Sequence, residues 1–244
     1  MKNEYQIFGI RAVIEAIHAG KTIDKIFIQK GLQGGLFQEL HTLLKSHQIN
    51  TSYVPVEKLN RLTKKNHQGV VANISPIEFH DLENLTMKVI ESGETPLFLI
   101  LDQVSDVRNF GAIIRTAECT GVHGIIIQKN GSAPVTADTV KTSAGAVFNV
   151  PICKVDHIKD AIFYMQASGI EVVGATEKTD NEIYDVNFTT PAAIVMGAED
   201  VGISSSVLKI LNHKAKLPMF GSIGSLNVSV ACAVFLYEVV RQRK

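Results

Sequence analysis

The feature that most constrains the fold of this chain is an unbroken apolar run, residues 97–101, that ends in the acidic residue Asp102. Similar apolar runs follow at intervals, among them "HGIIIQ", "IEVVGAT" and "AAIVMG", and segments with helical spacing separate them. Strands that lack a polar face are typical of a parallel sheet that is covered by helices on both sides. We therefore predict that residues 95–244 form an α/β domain, with its ligand site in loops at the carboxyl ends of strands.

A second, smaller α/β domain is predicted for residues 1–75. The segments "FGIRAVIEAIHAG" and "LFQELHTLLKSHQ" have helical spacing, whereas "IDKIFIQK", "NTSYVPV" and "GVVANIS" favour strands. This domain has ten Lys and Arg residues against five Asp and Glu residues, and residues 76–244 have fourteen against nineteen. A basic domain joined to an acidic one favours a polyanionic partner such as nucleic acid. Residues 76–94 have weak periodicity and are predicted to be a connector with some helical content.

Several classes of protein are disfavoured by what the sequence lacks. It has neither a C-x-x-C nor an H-E-x-x-H pattern, so no metal is predicted. The cysteines at 119, 153 and 232 are predicted to be reduced and buried. No uncharged apolar run approaches the roughly 20 residues of a membrane span, and the first apolar stretch contains charges, so we expect a cytoplasmic protein. A P-loop and a dinucleotide fingerprint are missing, which disfavours a nicotinamide enzyme.

The first polar loop of the large domain leads into the segment "NFGAIIRTAECTG". Asn109 is a good N-cap for a helix that closes at Gly121, and Gly111 allows the backbone to approach whatever lies over the helix start. Arg115 interrupts an otherwise apolar turn. Two interpretations stay open: Arg115 extends to solvent from a buried helix, or its guanidinium contacts a phosphate or a ribose.

The second polar loop is contained in "IVMGAEDVGIS". Gly197 ends a strand, which commonly marks a close backbone approach to a ligand, and Gly202 precedes a helix. Glu199 lies between these glycines. It is either a solvated acid in an ordinary turn, or it accepts hydrogen bonds from a ligand hydroxyl or orients Arg115.

The third polar loop, "GSIGSLNVSV" at residues 221–230, precedes the last apolar segment. Ser225 and Asn227 are both suitable N-caps for a final helix, and a plain cap requires only one of them. The two residues occur together with Ser229 and follow Gly221 and Gly224. This surplus of polar groups favours a ligand site at the start of the helix, where free N–H groups are available.

The three loops resemble, in order and spacing, the three motifs of the SpoU/TrmH family of the SPOUT superfamily: Asn109, Gly111 and Arg115; Gly197, Glu199 and Gly202; residues 217–231. The resemblance implies an S-adenosylmethionine-dependent RNA ribose 2′-O-methyltransferase. It also implies a trefoil knot that forms the methyl-donor pocket, and a homodimer that completes the active site. The N-terminal domain is similar to the ribosomal-protein-like substrate-binding domain of many members. The chain is most similar to the branch that methylates guanosine of 23S rRNA.

The resemblance also implies roles for individual residues. The catalytic residues would be Asn109, Arg115, Glu199, Ser225 and Asn227. The methyl donor would be bound by Thr176, Gly197, Gly202, Leu217, Met219, Ser225 and Leu226. The N-terminal domain would hold RNA backbone through Lys21, Lys25, Arg61, Lys64 and Lys65. Asp200 departs from the family pattern, because members often have another glycine there. This departure bears on the detailed geometry of the loop and not on the assignment to the family.

Alternatives to this function stay open. A tRNA ribose 2′-O-methyltransferase would share the motifs, although the additional N-terminal domain favours ribosomal RNA. A non-catalytic RNA-binding factor for ribosome assembly would keep the fold around an inactive pocket, and the intact motif residues disfavour it. Arg115 is the proton acceptor in proposals for the family. A guanidinium keeps its proton at neutral pH, so two other roles suit Arg115 better: removal of the proton with the help of a phosphate, or stabilisation of a developing alkoxide.

Overall fold

The computed structural model describes residues 5–244, which divide into two compact units. The first unit takes in the described residues up to Glu78 together with Pro134–Ala137. The second unit comprises Phe79–Ala133 and Asp138–Lys244.

The N-terminal unit is a small α/β structure. Its elements are β1 (Gln6–Phe8), α1 (Ile10–His18), β2 (Ile23–Gln29), α2 (Gly35–Ser46), β3 (Thr51–Val54), α3 (Val56–Leu62) and β4 (Val70–Ile74). The strand order is β1-β4-β2-β3, in which β2 and β3 are parallel and the other pairs are antiparallel. The helices and strands that the sequence predicts are present, and β1 is an additional strand just before α1.

The two faces of this sheet are covered differently. Ile26 and Ile28 on β2 are fully buried on one face. They belong to a core to which α1 contributes Ile14 and α2 contributes Leu40. The opposite face has a smaller cluster around Leu59 of α3. The alternation along β2 follows from its period of two, because successive side chains point to opposite faces.

The second unit contains a parallel sheet between helices. Its elements are α4 (Leu82–Glu91), β5 (Leu97–Asp102), α5 (Val107–Cys119), β6 (Gly124–Gln128), α6 (Ala137–Thr142), β7 (Ile152–Val155), α7 (Ile158–Ala167), β8 (Glu171–Ala175), β9 (Ala192–Gly197), α8 (Ser205–Leu208), β10 (His213–Ala215) and α9 (Val228–Arg243). Short 3₁₀ turns occur at Ala146–Phe148 and Ile183–Asp185. The strand order is β10-β8-β9-β5-β6-β7, and every pair is parallel. The α/β class and the parallel sheet that the sequence predicts are confirmed.

The order of the strands makes β5 and β9 the place where the winding of the sheet reverses. The chain leaves β5 in one direction to form β6 and β7, then crosses to β8 and returns as β9 between β8 and β5. Asp102 and Gly197, the last residues of β5 and β9, are in register with each other. Open parallel sheets bind ligands at such reversals, outside the carboxyl ends of the strands.

Several local expectations are corrected. The helical content predicted for residues 76–94 is present as α4, whose Leu82 and Val89 are buried in the core of the second unit; the corrections concern β7 and the start of α5. The strand β7 was not predicted. The helix α5 is capped by Asp106 rather than by Asn109: the Asp106 carboxylate accepts a hydrogen bond from the Asn109 backbone N–H at 2.8 Å, so Asn109 lies in the first turn.

The cysteines are free thiols, and two of the three predictions of burial are confirmed. Cys153 and Cys232 are buried, but Cys119, the last residue of α5, is exposed. Within residues 5–244, every helix is too short or too polar to cross a membrane. The trefoil knot that the resemblance implies stays a prediction.

Candidate functional site

The loop after β9 is held tightly by its own backbone. The Ala198 N–H donates to the Gly202 carbonyl at 3.2 Å, and the Gly202 N–H donates back to Ala198 at 2.9 Å. Gly202 has a φ of +70°, which disfavours any residue with a Cβ atom. A Cβ atom on Gly197 would overlap the backbone of Gly202 and Ile203. The close approach at Gly197 is therefore made by the loop itself, which presents Glu199 to solvent.

Asp102 adds a second restraint to this loop. Its carboxylate is buried at the end of β5, and its Oδ2 atom accepts a hydrogen bond from the Ser204 backbone N–H at 2.8 Å. Ser204 is the N-cap residue of α8, so the far end of the loop is attached to the central strand of the sheet. Glu199 consequently lies on a short segment that is anchored at both ends.

The start of α5 is positioned by close packing. A Cβ atom on Gly111 would overlap the side chain of Thr142 at the end of α6. The group that approaches the backbone at Gly111 is therefore the side chain of Thr142. The missing Cβ atom of the glycine allows α5 and α6 to pack in contact. This contact holds the first turn of α5, and with it Asn109, near the carboxyl end of β5.

A hydrogen-bonded network of three side chains joins the three polar loops. Asn109 Nδ2 donates to Glu199 Oε2 at 3.0 Å. Asn227 Nδ2 donates to Glu199 Oε1 at 2.8 Å and to Asn109 Oδ1 at 3.0 Å. Residues that are 28 to 118 positions apart in sequence thus meet beside the ends of β5 and β9. We refer to Asn109, Glu199 and Asn227 as the amide–carboxylate network.

Asn227 is also the N-cap of α9. Its Oδ1 atom accepts hydrogen bonds from the Ser229 N–H at 2.9 Å and from the Ser229 hydroxyl at 2.6 Å. One side chain therefore caps the helix and connects to Glu199 and Asn109. Ser225 lies two residues earlier, is exposed, and has no hydrogen-bond partner among residues 5–244.

Two cavities adjoin this network. The first has a volume of about 710 Å³ and is lined by the ends of β8 and β9, residues 216–220 and the start of α9. Its lining includes all the residues that the resemblance assigns to the methyl donor: Thr176, Gly197, Gly202, Leu217, Met219, Ser225 and Leu226. The second has a volume of about 510 Å³ and is lined by residues 103–106, Asn109, Gly131, residues 198–201 and Val228. Glu199 lines both cavities and therefore lies at their shared boundary.

Arg115 is separate from this arrangement. Its side chain is exposed on α5, and it lines neither cavity. Within the part of the chain that the structure describes, Arg115 has no hydrogen-bond or ion-pair partner. A single copy of the chain therefore brings together Asn109, Glu199 and Asn227, with Ser225 in the lining of the first cavity, but not Arg115.

The basic residues predicted to bind RNA lie in the N-terminal unit. Lys25 is on β2 and Arg61 is on α3, whereas Lys64 and Lys65 follow α3 and Lys21 follows α1. Aromatic rings accompany some of them: the Lys65 Nζ atom is 5.0 Å from the centre of the Phe8 ring, and Lys25 Nζ is 5.5 Å from that of Phe27.

Lys58 of α3 also lies over the Phe27 ring, at 5.5 Å, and it was not predicted. The sequence could have indicated Lys58, because it belongs to the same short basic segment as Arg61, Lys64 and Lys65. Among residues 5–244, no group of three or more His, Cys, Asp or Glu side chains is arranged to hold a metal ion.

Comparison with known proteins shows which family this chain belongs to. A family model described as the SpoU rRNA Methylase family matches residues 96–237, and one described as RNA 2′-O ribose methyltransferase substrate binding matches residues 6–80. A Bacillus subtilis protein named as a TrmH family tRNA/rRNA methyltransferase, YacO, is 35% identical over 97% of this chain and 95% of its own length. A Staphylococcus aureus protein of the same designation is 36% identical over 97% and 96%.

Solved structures agree with these sequence matches. The SpoU methyltransferase AviRb of Streptomyces viridochromogenes, in complex with the cofactor AdoMet, has a TM-score of 0.62 and 25% identity over 98% of this chain and 90% of its own. A TrmH/SpoU tRNA modifying enzyme of A. aeolicus has a TM-score of 0.56 and 30% identity over 66% and 84%. The motifs, the fold and the matches lead to one conclusion: the chain belongs to the SpoU/TrmH family of RNA methyltransferases.

Proposed function

We propose that this protein transfers a methyl group from S-adenosylmethionine to the ribose 2′-hydroxyl of a guanosine in 23S ribosomal RNA. The observation that carries the proposal is the amide–carboxylate network, which lies between two cavities at the reversal point of a parallel sheet. The match of the N-terminal domain to an RNA substrate-binding model supports an RNA substrate, and a ribosomal RNA would place the reaction in the cytoplasm.

The first cavity fits a methyl donor of the size of S-adenosylmethionine. Its volume of about 710 Å³ lies within the range of roughly 300–1,000 Å³ that is typical of small-molecule sites. Leu217, Met219 and Leu226 provide apolar surface, and Thr176 provides a hydroxyl at the end of β8. S-adenosylmethionine would supply there a methyl group that is already activated by its sulfonium and would leave as S-adenosylhomocysteine. The protein residues therefore have to align the acceptor hydroxyl, whose proton passes to solvent water as the bond to the methyl group forms.

The second cavity suits the acceptor nucleotide. It shares residues 198–201 and Val228 with the first, so two ligands that occupied both cavities would meet at this boundary. Holding two reacting groups in contact can lower a barrier by about 7–11 kcal/mol in favourable cases. Alignment of the hydroxyl oxygen with the methyl group is thus the main task of the site.

The amide–carboxylate network provides this alignment. Asn227 has both amide hydrogens and its oxygen engaged within the protein, so it holds its neighbours and not the substrate. Glu199 receives a hydrogen bond on each oxygen and retains lone pairs toward solvent. We assign Glu199 to orienting the ribose hydroxyl, Asn109 and Asn227 to fixing Glu199, and Ser225 to a contact with the ribose beside the donor.

Arg115 acts, in this proposal, from the second copy of a homodimer formed through the catalytic domain. Arg115 is exposed and lines neither cavity in one chain, which agrees with a role that requires a partner. The exposed stripe of Val230, Val234 and Tyr237 on α9 is an apolar surface that a second copy can cover. There the Arg115 guanidinium would stabilise the developing alkoxide or hold a phosphate.

Mapping of ribosomal RNA tests the proposed substrate. Nucleoside mass spectrometry of 23S rRNA from a strain that lacks the gene should show the loss of one 2′-O-methylguanosine, and the purified protein should restore it. Loss of a ribose methyl group from tRNA instead would establish the tRNA alternative, which the names of the relatives include. Absence of S-adenosylhomocysteine binding in calorimetry would favour the non-catalytic assembly factor.

A further inference from the structure

One face of the N-terminal sheet has an aromatic row beside α3. Phe8 of β1 and Phe27 of β2 both pair in register with Val71 of the intervening strand β4. These three residues belong to the cluster around Leu59 and Leu62, so their side chains share the face that α3 partly covers. The two rings are only half-buried and remain in reach of solvent.

A polar row follows on the same face, two residues along each strand. Gln6 and Lys25 pair in register with Asn73, and Gln6 Nε2 donates to Asn73 Oδ1 at 3.4 Å. The period of two along a strand puts this row on the same face as the aromatic row. Amide side chains and a lysine therefore adjoin the two rings.

Three lysines are held over these rings. Lys25 and Lys58 approach the Phe27 ring from β2 and α3, each at 5.5 Å, and Lys65 lies 5.0 Å from the Phe8 ring. None of the three has an ion-pair partner in the described part of the chain. Their ammonium groups lie within cation–π distance of a ring, and no acidic side chain in the described part of the chain neutralises their charges.

The charge of this unit is concentrated on the α3 side. Residues 56–65 contain four cationic residues, Lys58, Arg61, Lys64 and Lys65, against the single acid Glu57. The two helices on the other side of the sheet are balanced, with Arg11 and Glu15 in α1 and Lys45 and Glu39 in α2. The excess positive charge is therefore a property of one surface and not of the whole domain.

We propose that this surface, the α3 face formed by Phe8, Lys25, Phe27, Lys58 and Lys65, binds the phosphodiester backbone of the substrate RNA. The proposal rests on the proposed function for the identity of the substrate. Ammonium groups that no acid neutralises suit a row of phosphates, and contacts with the rings favour positions in which three of these groups lie close together on one face. The amides of Gln6 and Asn73 can bond ribose hydroxyls or base edges next to the backbone.

The assignment selects among the basic residues of this domain. It adds Lys58 to the residues predicted from the sequence, and it gives the two phenylalanines a role in holding cations. It predicts no phosphate contact for Arg11 or Lys45, which lie on the helices that cover the opposite face.

Two double variants with the same net charge test this surface. Lys58→Gln with Lys65→Gln removes two charges from the α3 face, and Arg11→Gln with Lys45→Gln removes two from the opposite side. The affinity of the full-length protein for purified 23S rRNA is measured between 50 and 300 mM KCl. Two lost phosphate contacts should reduce the slope of log K against log salt by about 1.4–1.8 and weaken binding about 25- to 60-fold near 0.1 M salt. The opposite-side variant should retain the wild-type slope.

Phe27→Leu tests the role of the ring separately. It retains all charges, so the salt slope should stay unchanged, while RNA affinity should fall about 2- to 5-fold through loss of the cation–π contacts. Calorimetry with S-adenosylhomocysteine should give the wild-type affinity for every variant, which shows that the second unit is intact.

Three results would overturn the proposal. Equal losses in the two double variants would mean that binding follows net charge alone, and an unchanged slope in the α3-face variant would mean that its lysines do not touch phosphate. Competition by polyglutamate as effective as that by RNA would indicate a surface for acidic proteins. These measurements are independent of methyl transfer, so a wild-type protein that binds RNA in this way but methylates none would refute the proposed function alone.

Discussion

Asn227 offers the sharpest test of whether the loop before α9, residues 221–227, does more than begin a helix. Its Oδ1 atom caps the helix through Ser229, while its Nδ2 atom donates to Asn109 and Glu199. Serine is about as good an N-cap as asparagine but has no amide donors. Asn227→Ser therefore retains the cap and removes the two hydrogen bonds by which Asn227 joins the network, whereas Asn227→Ala removes the cap as well.

The two variants should differ in stability and agree in activity. Loss of the cap in Asn227→Ala is expected to lower the free energy of unfolding by about 0.5–2 kcal/mol, and Asn227→Ser should change it by less than about 0.5 kcal/mol. Glu199 and Asn227 are exposed, so water replaces the lost amide hydrogen bonds at little cost. Methyl transfer should fall about 100-fold in both variants, because a displacement near 1 Å at a reacting centre has an effect of this size.

Urea unfolding and single-turnover methylation of 23S rRNA measure these two quantities on the same preparations. Ser222→Ala is the matched control, since Ser222 is exposed in the same loop and lines neither cavity. A wild-type methylation rate for Asn227→Ser would refute the role of the amide–carboxylate network in methyl transfer, because Asn227 would then act only as the N-cap of α9.

Further predictions concern the loop after β9, the last helix and the thiols. Gly197→Ala should reduce methylation about 100-fold, because its Cβ atom would lie 2.5 Å from the Gly202 carbonyl oxygen and move the loop by about 1 Å; Gly35→Ala, with open space around it, should have the wild-type rate. Hydrogen bonds from Arg241 hold the pKa of Glu238 below its ordinary value. The stability from this pair is therefore complete above the unfolded pKa of about 4.3 and is lost as the pH falls through the lower folded pKa. Glu238→Gln should consequently lower Tm at pH 7, and this deficit should shrink as the pH falls from about 4.3 toward the folded pKa. Burial raises the pKa of the Cys153 and Cys232 thiols to about 12, so iodoacetamide at pH 8 should label exposed Cys119 alone in the folded protein, and rapid labelling of either other thiol would contradict the described burial.

Periodicity predicted the parallel sheet because buried parallel strands leave an unmistakable apolar pattern. The run at 97–101 forms β5, and the predicted final helix is present, with Asn227, one of its two candidate caps, as the N-cap. The short strands β1 and β7 were not predicted, since three or four residues are too few to establish a period. The N-cap of α5 was misplaced because Asp106 and Asn109 are both good caps, and only tertiary geometry decides between them.

The polar loops could be recognised from sequence, but their mutual contacts could not. Glycine at 197 indicated a close approach, and the structure shows that the approaching group is the loop's own backbone at Gly202 and Ile203. The pairing of Asn109 with Glu199 and Asn227 spans up to 118 positions and depends on how the strands are ordered in the sheet. Local patterns contain no information on such distances. The rings under Lys58 and Lys65 were missed for the same reason.

The central claim is that the cavity beside the amide–carboxylate network holds the methyl donor within reach of an RNA ribose. A crystal structure with S-adenosylhomocysteine tests it most directly. The account predicts the ligand in the cavity lined by Gly197, Leu217, Met219 and Leu226, with its sulfur toward Glu199. A ligand bound elsewhere, or a protein that binds none at saturating concentration, would contradict the account.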